Sequence, residues 1–182
     1  MSAARGEEER GGADVSPARK YILFGVFAAV SIALDQWTKV LARDVLRPLG
    51  PYRPKVVIDG FFKLRYSENP GVAFGMLQSM SGGRIVLTLM AIAAFALVIF
   101  YLRKTDAGAT RLQVALGLVG GGAIGNLIDR VAYGRVTDFI VWHYKQHEWP
   151  TFNVADAALC VGVALMMLDM MLTRPAPASP PA

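Results

Sequence analysis

Apolar residues run through this chain in four long stretches, at 21–34, 85–102, 112–128 and 157–171, the last with Asp169 as its only charge. A membrane-crossing helix needs about 18 or more predominantly apolar residues, a length that 85–102 reaches unaided. The first and last stretches reach it by extending into their polar flanks, so polar groups at those helix ends belong to the spans. Between the first two stretches the period shortens. Over 55–66 apolar and basic residues alternate through Phe62, Lys63, Leu64, Arg65 and Tyr66, and Asp59-Gly60 is a turn signal, which predicts a small sheet outside the membrane. After the turn Asn69-Pro70-Gly71, the segment 72–80 is apolar but too short to span, which predicts a helix at the interface. In the third stretch Gly117, Gly121 and Gly125 fall four apart on one face, where a neighbouring helix can approach closely. The segment joining the third and fourth stretches reads as a short polar loop.

Composition places this pattern in lipid. A chain of 182 residues with 54% hydrophobic and 18% charged residues is too apolar for an ordinary soluble domain. The predicted fold class is an α-helical integral membrane protein, with four transmembrane helices, a small extracytoplasmic β-sheet and an interfacial helix. One membrane domain covers 19–173, with the sheet within 44–70 and the interfacial helix at 72–80. The charged, Gly-rich tail 1–18 and the Pro-rich tail 174–182 bury no core and are expected to be disordered. Arg19-Lys20 before 21–34 resembles a signal peptide, but no small-x-small cleavage site follows, so this is read as a retained first span.

Basic residues lie at both ends of the spans, and the net charge is +5. Short loops weigh most in the positive-inside rule, so Arg103, Lys104 and Arg111 place both termini in the cytoplasm. Dispersed basic residues suit anionic membrane lipid and argue against nucleic acid as a partner.

Acids near hydrocarbon are costly, about 2.5–3.5 kcal/mol at a helix centre, and mark function. Asp138 and Asp156 flank the loop between the last two spans, and two acids sharing one proton can activate water. Each has a plain alternative. Asp156 follows Asn153 by three residues, as an acid in the first turn of a capped helix, and Asp138 can be a solvated loop acid. Asp35 and Lys39, spaced i, i+4, form an ion pair or serve a nearby site. Asp129-Arg130 ends the third span as a structural pair, unless Arg130 meets a lipid phosphate, and Asn126 one turn earlier needs a hydrogen-bond partner. His143 and His147 lack the Glu of a zinc-binding His-Glu-x-x-His motif and read as interfacial loop residues. Cys160 lies within the fourth span and reads as a packing residue; a single Cys excludes an internal disulfide.

Five ordered motifs then resemble one family, the lipoprotein signal peptidases or signal peptidase II of bacterial inner membranes. They are Asp35-Gln36-Trp37-Thr38-Lys39, Asn69-Pro70-Gly71-Val72-Ala73-Phe74, Gly125-Asn126-Leu127-Ile128-Asp129-Arg130, Val136-Thr137-Asp138-Phe139 and Phe152-Asn153-Val154-Ala155-Asp156. The resemblance implies an aspartic endopeptidase, a target of the antibiotic globomycin, that cuts diacylglyceryl-modified prolipoproteins just before the lipidated cysteine. It implies a catalytic pair at Asp138 and Asp156, and substrate-binding or supporting positions at Asp35, Lys39, Asn69, Gly71, Asn126, Arg130 and Asn153. No metal and no cofactor are expected, the active site is expected near the periplasmic face, and a monomer is the expected state, although the sequence itself does not determine it. The tails and the segment 142–150 match no motif. A proton-coupled transporter or other non-enzymatic carrier is the competing class, with Asp35, Lys39, Asp129, Arg130, Asp138 and Asp156 as a relay; the chain shows no internal repeat of the kind transporters carry. A structural membrane subunit, its acids serving only as caps and ion pairs, is the third.

Overall fold

The computed structural model describes residues 16–70 and 83–172. Four helices in it are long and apolar enough to cross a membrane. They are α1 (Ala18–Leu41), α2 (Gly83–Lys104), α3 (Thr110–Tyr133) and α4 (Val154–Leu172). Beyond Leu41 the chain continues through a wider π turn, Ala42–Leu46, and a 3₁₀ turn, Arg47–Leu49, so the first span does extend through its polar flank. The expected interfacial helix and Gly71 lie outside the described residues, as do nearly all of both tails.

α3 is the axle. Within its apolar stretch 61% of residues are buried in the protein, against at most 17% in the other three. This explains why the most Gly-rich span is the central one: it meets helices, where close approach matters more than hydrophobicity. A Cβ added at Gly117 would lie 2.8 Å from the Phe24 carbonyl oxygen, and one at Gly121 2.7 Å from that of Ala28, so the glycine face predicted from spacing is where α1 packs. Gly122 and Gly162 do the same between α3 and α4, where an added Cβ would lie 2.5 Å from the Ala155 oxygen and 2.8 Å from the Ala115 oxygen respectively. Where α1 begins, Lys20 Nζ donates to the carbonyls of Arg103 and Thr105 at 3.0 Å each, and Gln113 Nε2 donates to those of Asp106 and Ala107 at 2.8 and 2.9 Å. These bonds satisfy carbonyls at and just beyond the end of α2 that have no intrahelical partner.

The predicted hairpin is present as β1 (Lys55–Ile58) and β2 (Phe62–Asn69), turning at Asp59-Gly60, where Gly60 has φ +73°. The segment read as a loop after the third span is instead a strand, β3 (Val136–Tyr144), which returns as β4 (His147–Glu148). The sheet is antiparallel in the order β1-β2-β3-β4. The β-branched and aromatic run Val136 to Tyr144 suits a strand, but its partner β2 lies about 70 residues earlier and no local pattern announces it. Glu148 pairs with Lys63 and, at 3.0 Å, with Arg65, so the unmatched segment 142–150 is tied to the hairpin. These cations hold its carboxyl below the usual range, with Lys63 the larger influence. His143 and His147 sit on this β3–β4 hairpin.

Two further expectations need correction. Cys160 faces outward from α4 and is exposed, so it does not pack in the bundle. Asp129 forms its ion pairs with Lys39 of α1 and Arg43 of the following π turn, described below, and not with its neighbour Arg130.

The sheet rests on the end of α1, where buried Ala42, Leu46 and Phe139 pack with Leu49, Leu64, Tyr66, Ile140 and Val154. The turn from α3 into β3 depends on Gly134, at φ +77°, whose N–H donates to the Arg130 carbonyl at 3.1 Å. An L side chain is strained there, so Gly134→Ala is expected to lower stability by about 1 kcal/mol, read as the thermal unfolding midpoint in detergent.

Candidate active site

Asp138 lies on β3 opposite Ser67 of β2, and Asp156 lies in the first turn of α4. One residue brings them together. The Phe152 carbonyl accepts from the N–H groups of Phe139 and Ile140 at 3.0 and 2.9 Å, and its own N–H donates to the Ile140 carbonyl at 3.1 Å. This bridge sets the start of α4 against β3. Asn153 then caps α4: its Oδ1 accepts from the Asp156 N–H at 2.9 Å, while Asp156 Oδ2 accepts from the Asn153 N–H at 3.2 Å. The capping role anticipated from the spacing is therefore real, and it holds Asp156 in place.

Amides link the two acids. Asn153 Nδ2 donates to Asp138 Oδ1 at 2.6 Å and to Asn126 Oδ1 at 3.1 Å, and Asn126 Nδ2 donates to Asp156 Oδ1 at 2.8 Å. From β2, Asn69 Nδ2 donates to Asp138 Oδ2 at 3.1 Å. Asp138 is 3% exposed, whereas Asp156 is only half-buried. Burial, and then the charge of Asp156, raises the Asp138 carboxyl to about 7, against the opposing pull of its two amide donors and of Lys39. Asp138 thus holds a proton at a pH where an ordinary carboxyl has lost it.

Behind the amides lies a second layer of charge. Lys39 and Asp35 on α1 are 2.8 Å apart and fully buried, and Lys39 Nζ also reaches Asn126 Oδ1 at 3.0 Å and Asp129 Oδ2 at 3.5 Å. Arg43, one turn beyond Lys39, pairs with Asp129 at 2.8 Å, donates to Thr137 Oγ1 at 3.0 Å and covers the Tyr133 ring at 4.0 Å. Gln36 Nε2 donates to Asp35 Oδ2 and to the Gly125 carbonyl, both at 3.0 Å. Two acids and two cations make this layer formally neutral, as burial requires.

Arg130 on α3 donates through Nη1 to the Asn126 carbonyl at 3.2 Å. Its guanidinium is within electrostatic reach of Asp156 and Asp138, and its Nε is buried without a partner among the described residues. It can supply both a balancing charge and a donor to an incoming group.

The structure thus gathers Asp35, Lys39, Asn69, Asn126, Arg130 and Asn153 around Asp138 and Asp156. Sequence reasoning missed Arg43, Gln36 and the inward role of Asp129. Arg43 carried a signal: it continues the i, i+4 series of Asp35 and Lys39 on one helix face.

A family model described as signal peptidase (SPase) II matches residues 27–172. A lipoprotein signal peptidase of Geobacter metallireducens is 45% identical over 154 residues, covering 83% of this chain and 91% of the relative. One of Symbiobacterium thermophilum is 43% identical over 149 residues, covering 82% of this chain and 94% of the relative. A solved structure described as a bacterial membrane enzyme, determined by the in meso method at 1.9 Å resolution, superposes with a TM-score of 0.71 at 28% identity. That superposition covers 82% of this chain and 92% of the other.

Proposed function

This chain belongs to the signal peptidase II family, and we propose that within it Asp138 and Asp156 are the catalytic pair. The protein is an aspartic endopeptidase of the membrane that removes signal peptides from prolipoproteins. The observation that carries the site assignment is the amide bridge: Asn153 and Asn126 hold one buried and one half-buried carboxyl together at a helix end.

The charge of Asp156 raises the Asp138 carboxyl, so the two do not readily ionise together and the pair shares a proton. Asp138, the more buried, keeps it. Asp156 accepts a proton from water as the water oxygen bonds to the scissile carbonyl carbon, and Asp138 gives its proton to the carbonyl oxygen. The resulting diol collapses: the C–N bond breaks, Asp156 passes its proton to the leaving amine, and a diol proton returns to Asp138. Water is the only reagent consumed, and the pair ends as it began. Arg130 steadies the substrate carbonyl or a lipid phosphate through its planar fork.

The finer substrate reading is a diacylglyceryl-modified prolipoprotein cut before the lipidated cysteine. Its lipid and apolar signal helix lie in the bilayer while water reaches the pair from the periplasmic side. In this reading both termini are cytoplasmic, lipid is an immediate partner and the enzyme works as a monomer. Aromatic Phe61 stacks on Trp142 at 6.4 Å, and Trp142 meets Phe152 edge-on at 5.1 Å. Such rings suit a membrane–water boundary beside the site.

Incubating the purified protein with a lipidated prolipoprotein is expected to release the signal peptide, seen by mass spectrometry. No release from a substrate that a known lipoprotein signal peptidase cuts in the same detergent would remove this reading. The pH profile tests the proton's place. Because Asp138 is raised to about 7 and acts protonated, kcat/KM should fall as pH rises through about 7. Since the two acids titrate as a pair, that limb belongs to the pair.

A further inference from the structure

The two acids of the second layer each grip a backbone N–H, and the two N–H groups occupy equivalent places. Asp35 Oδ1 accepts from the Ala155 N–H at 2.9 Å, one residue before Asp156. Asp129 Oδ2 accepts from the Thr137 N–H at 2.8 Å, one residue before Asp138. Lys39 ties these two acids to each other, and Arg43 holds Asp129 and the Thr137 hydroxyl from the far side. We propose that Asp35, Lys39, Arg43 and Asp129 form a positioning device that sets the spacing of Asp138 and Asp156 and the direction of the Asn126 amide between them. This rests on the reading of those two aspartates as the catalytic pair.

The amide's direction follows from hydrogen-bond chemistry. An ammonium only donates, so Lys39 at 3.0 Å requires the oxygen of the Asn126 side chain. Its nitrogen is thereby turned to Asp156 and serves as a donor to a carboxylate. With the amide reversed, the carbonyl oxygen would face Asp156 and disfavour the ionised form that accepts a proton from water. Spacing follows from rigidity. Asp35, Lys39 and Asp129 are fully buried, and the helix carrying Asp35 and Lys39 meets the helix carrying Asp129 across glycines, with the Asp35 carboxylate itself occupying the space a Cβ on Gly125 would need, at 2.6 Å. Neither acid can shift without moving a backbone segment that carries one of the pair. The four residues touch no substrate in this scheme; they act through Asn126, Thr137 and Ala155.

The test compares Lys39→Met and the charge-balanced double variant Asp35→Asn/Lys39→Met with the parent, on lipidated prolipoprotein in detergent, per folded molecule. The expected result is a fall in kcat of about 100-fold with KM close to the parent's, as for a misplaced reacting group. In Lys39→Met the alkaline limb of the pH profile should also move to higher pH, because a positive charge that disfavours the proton on Asp138 has gone. If the single variant does not fold, the double variant, which strands no charge, decides through its kcat and KM. Parent-like kcat in the folded variants would overturn the proposal, as would activity that merely tracks the folded fraction with an unmoved profile. Asp138→Asn and Asp156→Asn run in the same assay: if they cleave, the catalytic pair itself is wrong, whereas inactive Asn variants beside an active Lys39→Met defeat the positioning device alone.

Discussion

Replacing Asp138 or Asp156 by Asn is expected to abolish signal-peptide release, lowering turnover by at least about 10⁴-fold, the upper range for loss of a general acid or base. The amide preserves the volume of the carboxyl, so the variant proteins should insert and purify as the parent does. What it removes differs at the two sites. At Asp156 it removes the group that accepts a proton from water. At Asp138 it removes a proton that moves onto the substrate carbonyl, leaving an amide N–H that can donate a hydrogen bond but cannot transfer its hydrogen. It also turns one oxygen into a donor facing either Asn69 Nδ2 or Asn153 Nδ2, both of which already donate to Asp138. Because the two acids work as a unit, the double variant should be hardly worse than either single one. The measurement is a time course of cleavage with each variant and the double. Turnover near the parent's by either single variant would end the assignment.

The second large effect comes from a single methyl group. Gly122→Ala is expected to lower activity about 100-fold, although residue 122 touches neither aspartate. A Cβ there would lie 2.5 Å from the Ala155 carbonyl oxygen and 2.9 Å from Leu159 Cγ. The first of these is backbone in the opening turn of α4 and cannot rotate away, so the helix start must move. That start carries Asn153, Ala155 and Asp156, whose bonds to Asn126, Asp35 and Asp138 all lie between 2.6 and 3.1 Å. Overpacking of this kind also costs about 1–3 kcal/mol of stability. Gly25→Ala is the control. A Cβ at Gly25 meets nothing within 4 Å, and alanine is the better helix former by about 0.8–1 kcal/mol, so that variant should remain active and melt no lower. Equal behaviour of the two variants would show that the α3–α4 contact does not govern the site.

These residues also show what is legible in a sequence and what is not. Local spacing carries information only where structure is local. The Asp35–Lys39 pair, the Asn153 cap on Asp156 and the Asp59-Gly60 turn each lie within one helical turn or one hairpin, and each is present as expected. The glycine face of α3 was visible as a pattern, but its partner α1 was not. β3 is not legible locally because the strand that pairs with it is remote in the chain, and without that partner a short segment holding Asp138 between two spans reads as a loop. Arg43 shows its i, i+4 spacing from Lys39, but only the π turn that prolongs the first span carries it to Asp129, a residue of another helix. Cys160 reads as a packing residue from its apolar neighbours, but a helix in lipid is as apolar outside as within, so those neighbours do not tell an outward face from an inward one. For the site, the resemblance of five ordered motifs supplied what residue spacing left undecided between catalysis and capping.

The buried charges shared by α1 and α3 bear on how the protein is assembled after its helices insert. Within α1 the buried Asp35 and Lys39 neutralise each other, so that pair brings no net charge into lipid. On α3 alone, Asp129 has neither of the cations that match it here, since Lys39 comes from α1 and Arg43 from the π turn that follows it. An ionised acid without a partner is among the costliest passengers in a membrane helix. Association of the first span with the third helix supplies the cations that match that acid. The same four charges that steady a finished enzyme would then act during its biogenesis, selecting the correct helix neighbour before any substrate is present.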